Sequence, residues 1–549
     1  MSGSHRKSVT RRSLMAAGAL ALAGGTALAL RNAGPVRRQA ADAKTLKRGN
    51  GAEPDSLDPH KAQGNWENNI IGDMFLGLMT ENAAGDPVFG AAESYKVSSD
   101  GLTYTFRLRD HRWSDGRRVS ARDFVFSLRR VLDPRTAGQY ASILYPIRNA
   151  EPVNAGKKPL DQLAVRALDD RTLEIAFEFQ VPYVAQLLSH MASFAVPLHV
   201  LERHGDDWLR AGNIVTNGAY VLTEWLPNEH IVLRKNPYFY KADKVATDTV
   251  IYYPTQDYSA ALKRFRAGEF DVTNSIPSQE IDWLKSHMPR ALHVAPYVLT
   301  QYLQFNLVRK PFDDIRVREA LSLAINREII ATRVMRAGEK PAYSYLPRGL
   351  PGYPSTAELR FRQMAMPERQ SLAKKLLREA GFTSTRPLTF QYSYQNQNDA
   401  RLTAVAFQEM WKQIGVHAQL APAESQVHYN SLRRQDFDVA WSGWIADYRD
   451  PKNYLFIWQS SAGDMNVGRY RSREFDSLVQ KSDSERSPSL RGRILARAEQ
   501  ILLDDMALAP IYFGVSRNLV SRQVKGWVDN ELNINRSCYL SLDRSALSA

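Results

Sequence analysis

DGLTYTFRLRDHRWSDGRRVSARDFVFSL, residues 100–128, changes its hydrophobic period halfway along. DGLTYTFRLRD (100–110) alternates polar and apolar residues with the period of two that a β-strand imposes. Trp113-Ser114-Asp115-Gly116 then reads as a turn, with glycine where the backbone must reverse. VSARDFVFSLRRVLD (119–133) follows with Phe124, Leu128 and Leu132 at helical spacing. Ser120 suits the helix N-cap, and Asp123 falls three residues later, where a carboxylate favours a helix start. The segment is therefore a compact strand–turn–helix module, with Trp113 as packing.

The same alternation of elements continues outward. RTLEIAFEF (171–179) alternates as a strand. IRVREALSLAINREIIATRVM (315–335) predicts one long amphipathic helix. ERQSLAKKLLREAGF (368–382) predicts another, with Gly381 as its C-terminal stop. ARLTAVAFQEMWKQIGV (400–416) is a third, and HAQLAPAE (417–424) follows it as a strand. PRGLPGYP (347–354) reads as a surface loop. Interleaved strands and helices imply α/β lobes. No internal repeat interrupts them, and 549 residues exceed what one core organises, so two or three domains are expected.

Residues 1–43 do not read as part of the fold. TRRSLM (10–15) sets Arg11 and Arg12 before an uncharged, Ala/Leu/Gly-rich run from Ser13 to Leu30. A basic segment followed by an apolar one is the pattern of a twin-arginine export signal. ALA (27–29) and ADA (41–43) are its two candidate cleavage sites, and an uncleaved anchor is the alternative. No cysteine follows the run, which excludes a lipoprotein anchor. Of the net charge of +14, six units belong to residues 1–43, leaving a mild surplus of about +8. No long basic run or RNA-binding signature accompanies it, so nucleic acid is not an expected partner.

The single cysteine, Cys538, excludes an intramolecular disulfide and a thiolate cluster, and reads as a buried thiol. The chain lacks G-x-G-x-x-G, P-loop, G-x-S-x-G and H-E-x-x-H motifs. His199 and His204 lie five apart, off a common helix face, and do not make a metal pair. No enzyme activity, cofactor or metal is expected. One stretch does raise a chemical question. In SGWIADYRDP (442–451), Asp447 stands between Trp444 and Tyr448, where desolvation penalises its charge. It serves either as a turn cap before Arg449 and Asp450 or as a counter-charge for a ligand cation.

The module at 100–128 resembles the signature of the bacterial family 5 extracellular solute-binding proteins, the peptide-binding components of ABC importers. AEPDSLDPH (52–60), NIVTNGAY (213–220), PAYSYLP (341–347), EAGF (379–382) and FDVAWSGWIADY (437–448) resemble further blocks of that family, in the same order. The resemblance runs from about Thr45 to the C-terminus. It implies an α/β fold of the periplasmic-binding-protein type II kind (cluster C), with two main lobes, an additional inserted small domain and a hinged cleft. The implied division is 44–65, 196–295 and 515–549 as domain I, 66–195 as the small domain II, and 296–514 as domain III.

The implied function is a periplasmic, monomeric receptor that delivers oligopeptides to an ABC permease and ATPase complex. By the resemblance, Asp447 binds the peptide's α-amino group. Main chain around Gly443–Ile445 and around Gln63, Gly64 and Asn65 would flank the peptide. Tyr140, Trp444 and Tyr512 are cleft-lining candidates that read equally well as core. The family's basic groups for the ligand's other end fall at or near Trp441, Ala400, Leu432 and Met335, with Arg336, Arg433 and Arg434 alongside. An indole at 441 cannot neutralise a carboxylate, which points to a ligand of different length or chemistry there. The alternatives are a murein peptide, a dipeptide, or a non-peptide ligand such as a nickel complex, haem, an oligosaccharide or an opine. A periplasmic chaperone, and a secreted glycosidase using Asp447 and Asp450, complete them.

Overall fold

The computed structural model describes residues 44–547 apart from Ser275, so the expected export signal lies outside the described residues. The decisive module folds as its periodicity requires. Thr103–Leu108 is a strand, and Ala121–Leu132 is a helix capped at Ser120. The Asp123 carboxylate accepts from the Ser120 N–H at 2.8 Å and from its hydroxyl at 2.9 Å. Gly116 has φ +88°, a left-handed conformation in which a side chain is strained. Trp113, Phe124, Leu128 and Leu132 are all 0–1 % exposed. Each such burial is worth roughly 1.5–3 kcal/mol, enough to fix the helix against its sheet. That sheet is antiparallel, in the order Ala92–Val97, Thr103–Leu108, Thr172–Ala176, Val165–Asp169.

A larger mixed sheet joins the rest. Its path runs Val416–Ala423, Leu388–Gln395, Val439–Ile445, Leu292–Phe305, Leu508–Val520, Val272–Thr273, Thr45–Gly49, Thr249–Tyr253, His230–Lys235, Tyr220–Leu226. Lys340–Pro341 adds to Leu508–Val520 off that path. Two main hydrophobic cores flank the sheet: a late core drawn from residues 298–512, and an early core drawn chiefly from residues 46–252. A third, smaller cluster gathers Ala261, Phe265, Ile281 and Leu519.

The Leu292–Phe305 and Leu508–Val520 strands pair antiparallel and run through more than one core. Leu303 and Ala509 belong to the late core, Leu519 to the third cluster and Val520 to the early core. Their register slips between Pro296 and Thr300 and again between Gln301 and Tyr302. Such irregularities bend a strand pair where the cores separate.

One expectation needs correction. The single helix over 315–335 is broken. Ile315–Leu323 ends, Asn326 takes an extended conformation, and its side chain caps a restart by accepting from the Ile329 N–H at 3.0 Å. Arg327, fully buried, donates to the carbonyls of Ser322, Ile325, Ala342 and Pro510 and so holds the break in place. Ile330–Met335 then continues as a wider π-helical turn. The 347–354 loop lies at the surface, with Arg348, Gly349, Pro351, Gly352 and Pro354 exposed, and is anchored from within by one aromatic. Tyr353 is 8 % exposed, and its hydroxyl donates to the buried Glu499. Cys538 is a free thiol, and burial pushes it up to about 12, which removes nucleophilic character.

Candidate ligand-binding cleft

The Val439–Ile445 strand leads into the lobe junction. Trp444 and Ala446 pack in the late core, whereas Tyr448 packs in the early core, its ring stacked on Tyr183 at 4.9 Å. Asp447 lies between them, at the edge of a cavity of about 990 Å³. Its side chain is 11 % exposed and that of His190 is 7 % exposed, with Nε2 of His190 3.3 Å from Oδ1 of Asp447. Nδ1 of His190 accepts from the Ala192 N–H at 3.2 Å, which fixes the ring with Nε2 on the side of the carboxylate. Asn453 orients the other side. It donates to Oδ2 of Asp447 at 3.1 Å and accepts from the Asp447 N–H at 3.0 Å and the Trp444 indole at 3.1 Å. The carboxylate thus has Asn453 as its side-chain donor and the His190 imidazole 3.3 Å away, and it pairs with no Lys or Arg among the described residues.

Tyr140 covers this end, 4.9 Å from the His190 ring and 6.5 Å from Trp444. Burial, and then the Asp447 charge, hold its phenol well above the ordinary range, so it stays a neutral donor. Asp450 is differently committed. Both its oxygens are taken by Arg491, at 2.8 and 2.9 Å, and it caps the Pro451–Leu455 helix. It does not line the cavity, so the two acids do not form an acid pair facing a common substrate.

The main chain provides a second feature. Val439–Ile445 pairs along its full length with Leu299–Phe305, but its other edge meets Leu388–Gln395 only at Val439 and Ala440. From Trp441 to Ile445 that edge has no strand partner among the described residues, and Gly443 and Ile445 line the cavity. Gln63, Gly64 and Asn65 line it from across. Here the N–H groups of Gln63 and Gly64 are already spent on Glu67, at 2.9 and 2.7 Å, which closes the cap of the Asn65–Met74 helix. Donation to a ligand from those two amides is thereby excluded.

At the far end Trp441 stands 6.0 Å from the Tyr512 ring and 5.8 Å from Phe407, partly core and partly cavity wall. Ala400 and Leu432 join the wall as apolar surface. Met335 is buried, and Arg336 pairs with Asp282 at 2.9 Å; neither lines the cavity. Arg433 does, reaching across the lobes to Oε1 of Gln139 at 3.1 Å and holding Asn430 with its other arm. Arg434 also lines it, exposed to solvent.

Four side chains at this cleft carry no sequence signature: His190, Asn453, Arg517 and Asp399. Nη2 of Arg517 is 2.5 Å from Oδ2 of Asp399, whose Oδ1 accepts from the Ser278 N–H at 3.0 Å. Burial would lower the Arg517 guanidinium's pKa, but Asp399 and Glu339 outweigh it and hold the group firmly protonated. Burial raises the Glu339 carboxyl. Among the described residues no group of His, Cys, Asp and Glu is arranged to hold a metal, and no helix is long and apolar enough to cross a membrane.

Comparison with known proteins gives concordant results. Residues 86–466 match the model of the bacterial extracellular solute-binding proteins, family 5 (middle region). The chain is 39% identical to the periplasmic oligopeptide-binding protein OppA of Salmonella typhimurium, over 95% of this chain and 97% of that one. Haemophilus influenzae OppA in complex with RPPGFSPFR superposes with a TM-score of 0.88 at 31% identity, over 91% of this chain and 99% of the other. The murein tripeptide binding protein MppA of Escherichia coli gives 0.88 at 34% identity, over 91% and 98%. Its unliganded open form gives only 0.66 at 33% identity, over 92% and 99%. Since sequence identity hardly differs, the drop reports lobe arrangement, and this structure shares that of the peptide complex rather than the open form.

Proposed function

The chain belongs to the bacterial extracellular solute-binding proteins, family 5, and on that footing we propose that it is the peptide receptor of an ABC importer. It captures oligopeptides in a cleft that closes between lobes and delivers them to a separate inner-membrane permease and its ATPases. The observation that carries this reading is Asp447: a nearly buried carboxylate, oriented by His190 and Asn453, facing a cavity and lacking a cation. A peptide's α-ammonium matches that carboxylate in charge and hydrogen-bonding, because a desolvated carboxylate needs an opposite charge with good geometry.

The free edge from Trp441 to Ile445 then receives the peptide main chain as an added strand, which gives affinity without reading sequence. Tyr140, Trp444 and Tyr512 wall the side-chain space, and Gln63–Asn65 flanks it without amide donation from Gln63 or Gly64. The late core supports a domain III of 296–514, with 66–195 as the small domain II and 44–65, 196–295 and 515–549 as domain I. Export by the twin-arginine route, a periplasmic location and a monomeric state complete the reading, and the names of the periplasmic relatives accord with the location. No catalytic step is assigned.

Native mass spectrometry of whatever copurifies with the protein lacking residues 1–43 tests this. Peptides of mixed sequence with free amino termini are expected. One dominant murein peptide would move the substrate to that of MppA-like relatives, and a non-peptide ligand would overturn the role given to Asp447.

A further inference from the structure

We propose that the cleft contains a second charged anchor, built on Arg517, which binds the C-terminal carboxylate of the peptide. The inference rests on the peptide reading above and goes beyond it by naming what the far end recognises. Arg517 comes from the Leu508–Val520 strand, five residues beyond Tyr512, and both side chains line the cavity. One arm of its guanidinium is fixed on Asp399. The other nitrogen, Nη1, is buried and has no hydrogen-bond partner. A guanidinium presents its donors in a rigid planar fork, so fixing one arm also fixes where the other points. A buried, charged donor without a protein acceptor is costly, and a ligand oxygen at the cavity wall would satisfy it.

The alternatives at that end are committed or apolar. Trp441, Ala400 and Leu432 offer no charge, Arg336 faces Asp282 outside the cavity, and Arg433 spends its arms on Gln139 and Asn430. Arg434 is exposed, where solvent screens it. The groups facing Arg517 are Asp399, Glu339, Tyr258 and Tyr512. Of these only Asp399 is hydrogen-bonded to the guanidinium, at 2.5 Å, which makes it the main competitor for an arriving anion. Asp399 is thus both the clamp that aims Arg517 and the charge that limits its grip on an arriving anion.

The opposed effects of the two residues make the test. Alanine-based peptides of three to six residues, each as free acid and as C-terminal amide, are titrated calorimetrically into the wild type, Arg517→Gln and Asp399→Asn. The wild type is expected to prefer the acid about tenfold at its best length. Arg517→Gln, which removes the charge but keeps a polar side chain, should lose the preference while still rejecting N-acetylated peptide, a sign that the cleft remains folded. Asp399→Asn should widen the preference; a residue acting only as a lobe-to-lobe brace would weaken both forms alike. Equal affinity for acid and amide in the wild type, or a preference that survives Arg517→Gln, overturns the anchor and leaves the peptide reading intact. If neither form binds at any length, the peptide reading falls and the anchor falls with it.

Discussion

Asp447→Asn is the most informative single change, because it removes a charge while keeping the shape. The carboxylate is 11 % exposed in this lobe arrangement, and its side-chain partners are the Asn453 amide and the His190 imidazole, with no Lys or Arg paired to it among the described residues. A peptide ammonium entering here gives up its water and relies on Asp447 for compensation. Deleting one member of a buried, hydrogen-bonded ion pair costs about 3–5 kcal/mol. At about 1.4 kcal/mol per tenfold, the dissociation constant should rise between roughly 100- and 4,000-fold. The variant should still fold, since the amide can accept from Asn453 or His190 and the local loss is about 1 kcal/mol.

The assay is calorimetric titration of one peptide, free and N-acetylated, against both proteins. Acetylation should weaken wild-type binding by a comparable factor and have little further effect on Asp447→Asn, because both changes delete the same pair. Additive losses would mean that the ammonium is bound elsewhere. Full affinity of the variant for the free peptide would refute the role outright.

Glu499 offers a stability test remote from the cleft. Its Oε1 accepts from the Tyr345 and Leu346 N–H groups at 2.7 and 2.8 Å, and burial pushes the carboxyl from 4.5 up to about 7. Between those values the native protein holds a proton that the unfolded chain has released. Its contribution to stability is therefore fully present below about pH 4.5 and is lost as pH rises through 7, by roughly 3 kcal/mol. Glu499→Gln copies the protonated form, so it should match the wild type near pH 4.5 and exceed it at pH 8; parallel denaturation curves at both pH values would contradict this. Arg433→Ala deletes the cross-lobe bond to Gln139. A partly exposed hydrogen bond of this kind is worth about 0.5–1.5 kcal/mol, so peptide affinity should fall roughly 2- to 10-fold, with a larger radius of gyration without ligand. Unchanged values in both would show that the contact does not favour closure.

The parts of the fold that could be read from sequence are those specified locally. At 100–128 the change of period, the glycine of the turn and the Ser120/Asp123 pair all act within a few residues of each other. The block at 442–451 was legible for the same reason, as a strand followed by aromatics around an acid. The break at Asn326 was not, because its hydrophobic pattern continues unbroken and the decisive contacts of Arg327 come from Ala342 and Pro510. The same holds for His190, which meets Asp447 across 257 positions, and for Arg517, which meets Asp399 across 118. A lone histidine or arginine has no periodicity, so only tertiary placement gives it a role. Trp441 and Ala400 are apolar, and the buried guanidinium nearest to them in the cavity wall, Arg517, comes from Leu508–Val520, which is separated from the Trp441 strand by Leu292–Phe305, a placement no local pattern announces.

On the proposed role of Asp447, closure and amine recognition are one event, which bears on the ligand-free protein. When the lobes separate, the carboxylate parts from His190 and is rehydrated; when they meet, it is sealed between a late-lobe Trp444 and an early-lobe Tyr140. Sealing an ionised carboxylate costs several kcal/mol unless a cation accompanies it, and an imidazole 3.3 Å away without a well-aligned hydrogen bond returns only part of that. The charge thus opposes closure until the ammonium arrives, and its differential affinity for the two arrangements is what shifts the population. Asp447→Asn removes the charge along with its desolvation cost, while the Tyr183–Tyr448 stack and the Arg433–Gln139 bond still favour the closed form. The ligand-free variant should therefore be more closed than the ligand-free wild type, even though it binds peptide far more weakly. Small-angle scattering of both proteins without peptide measures this directly. A variant as open as the wild type, or more so, would show that the buried charge does not hold the cleft open.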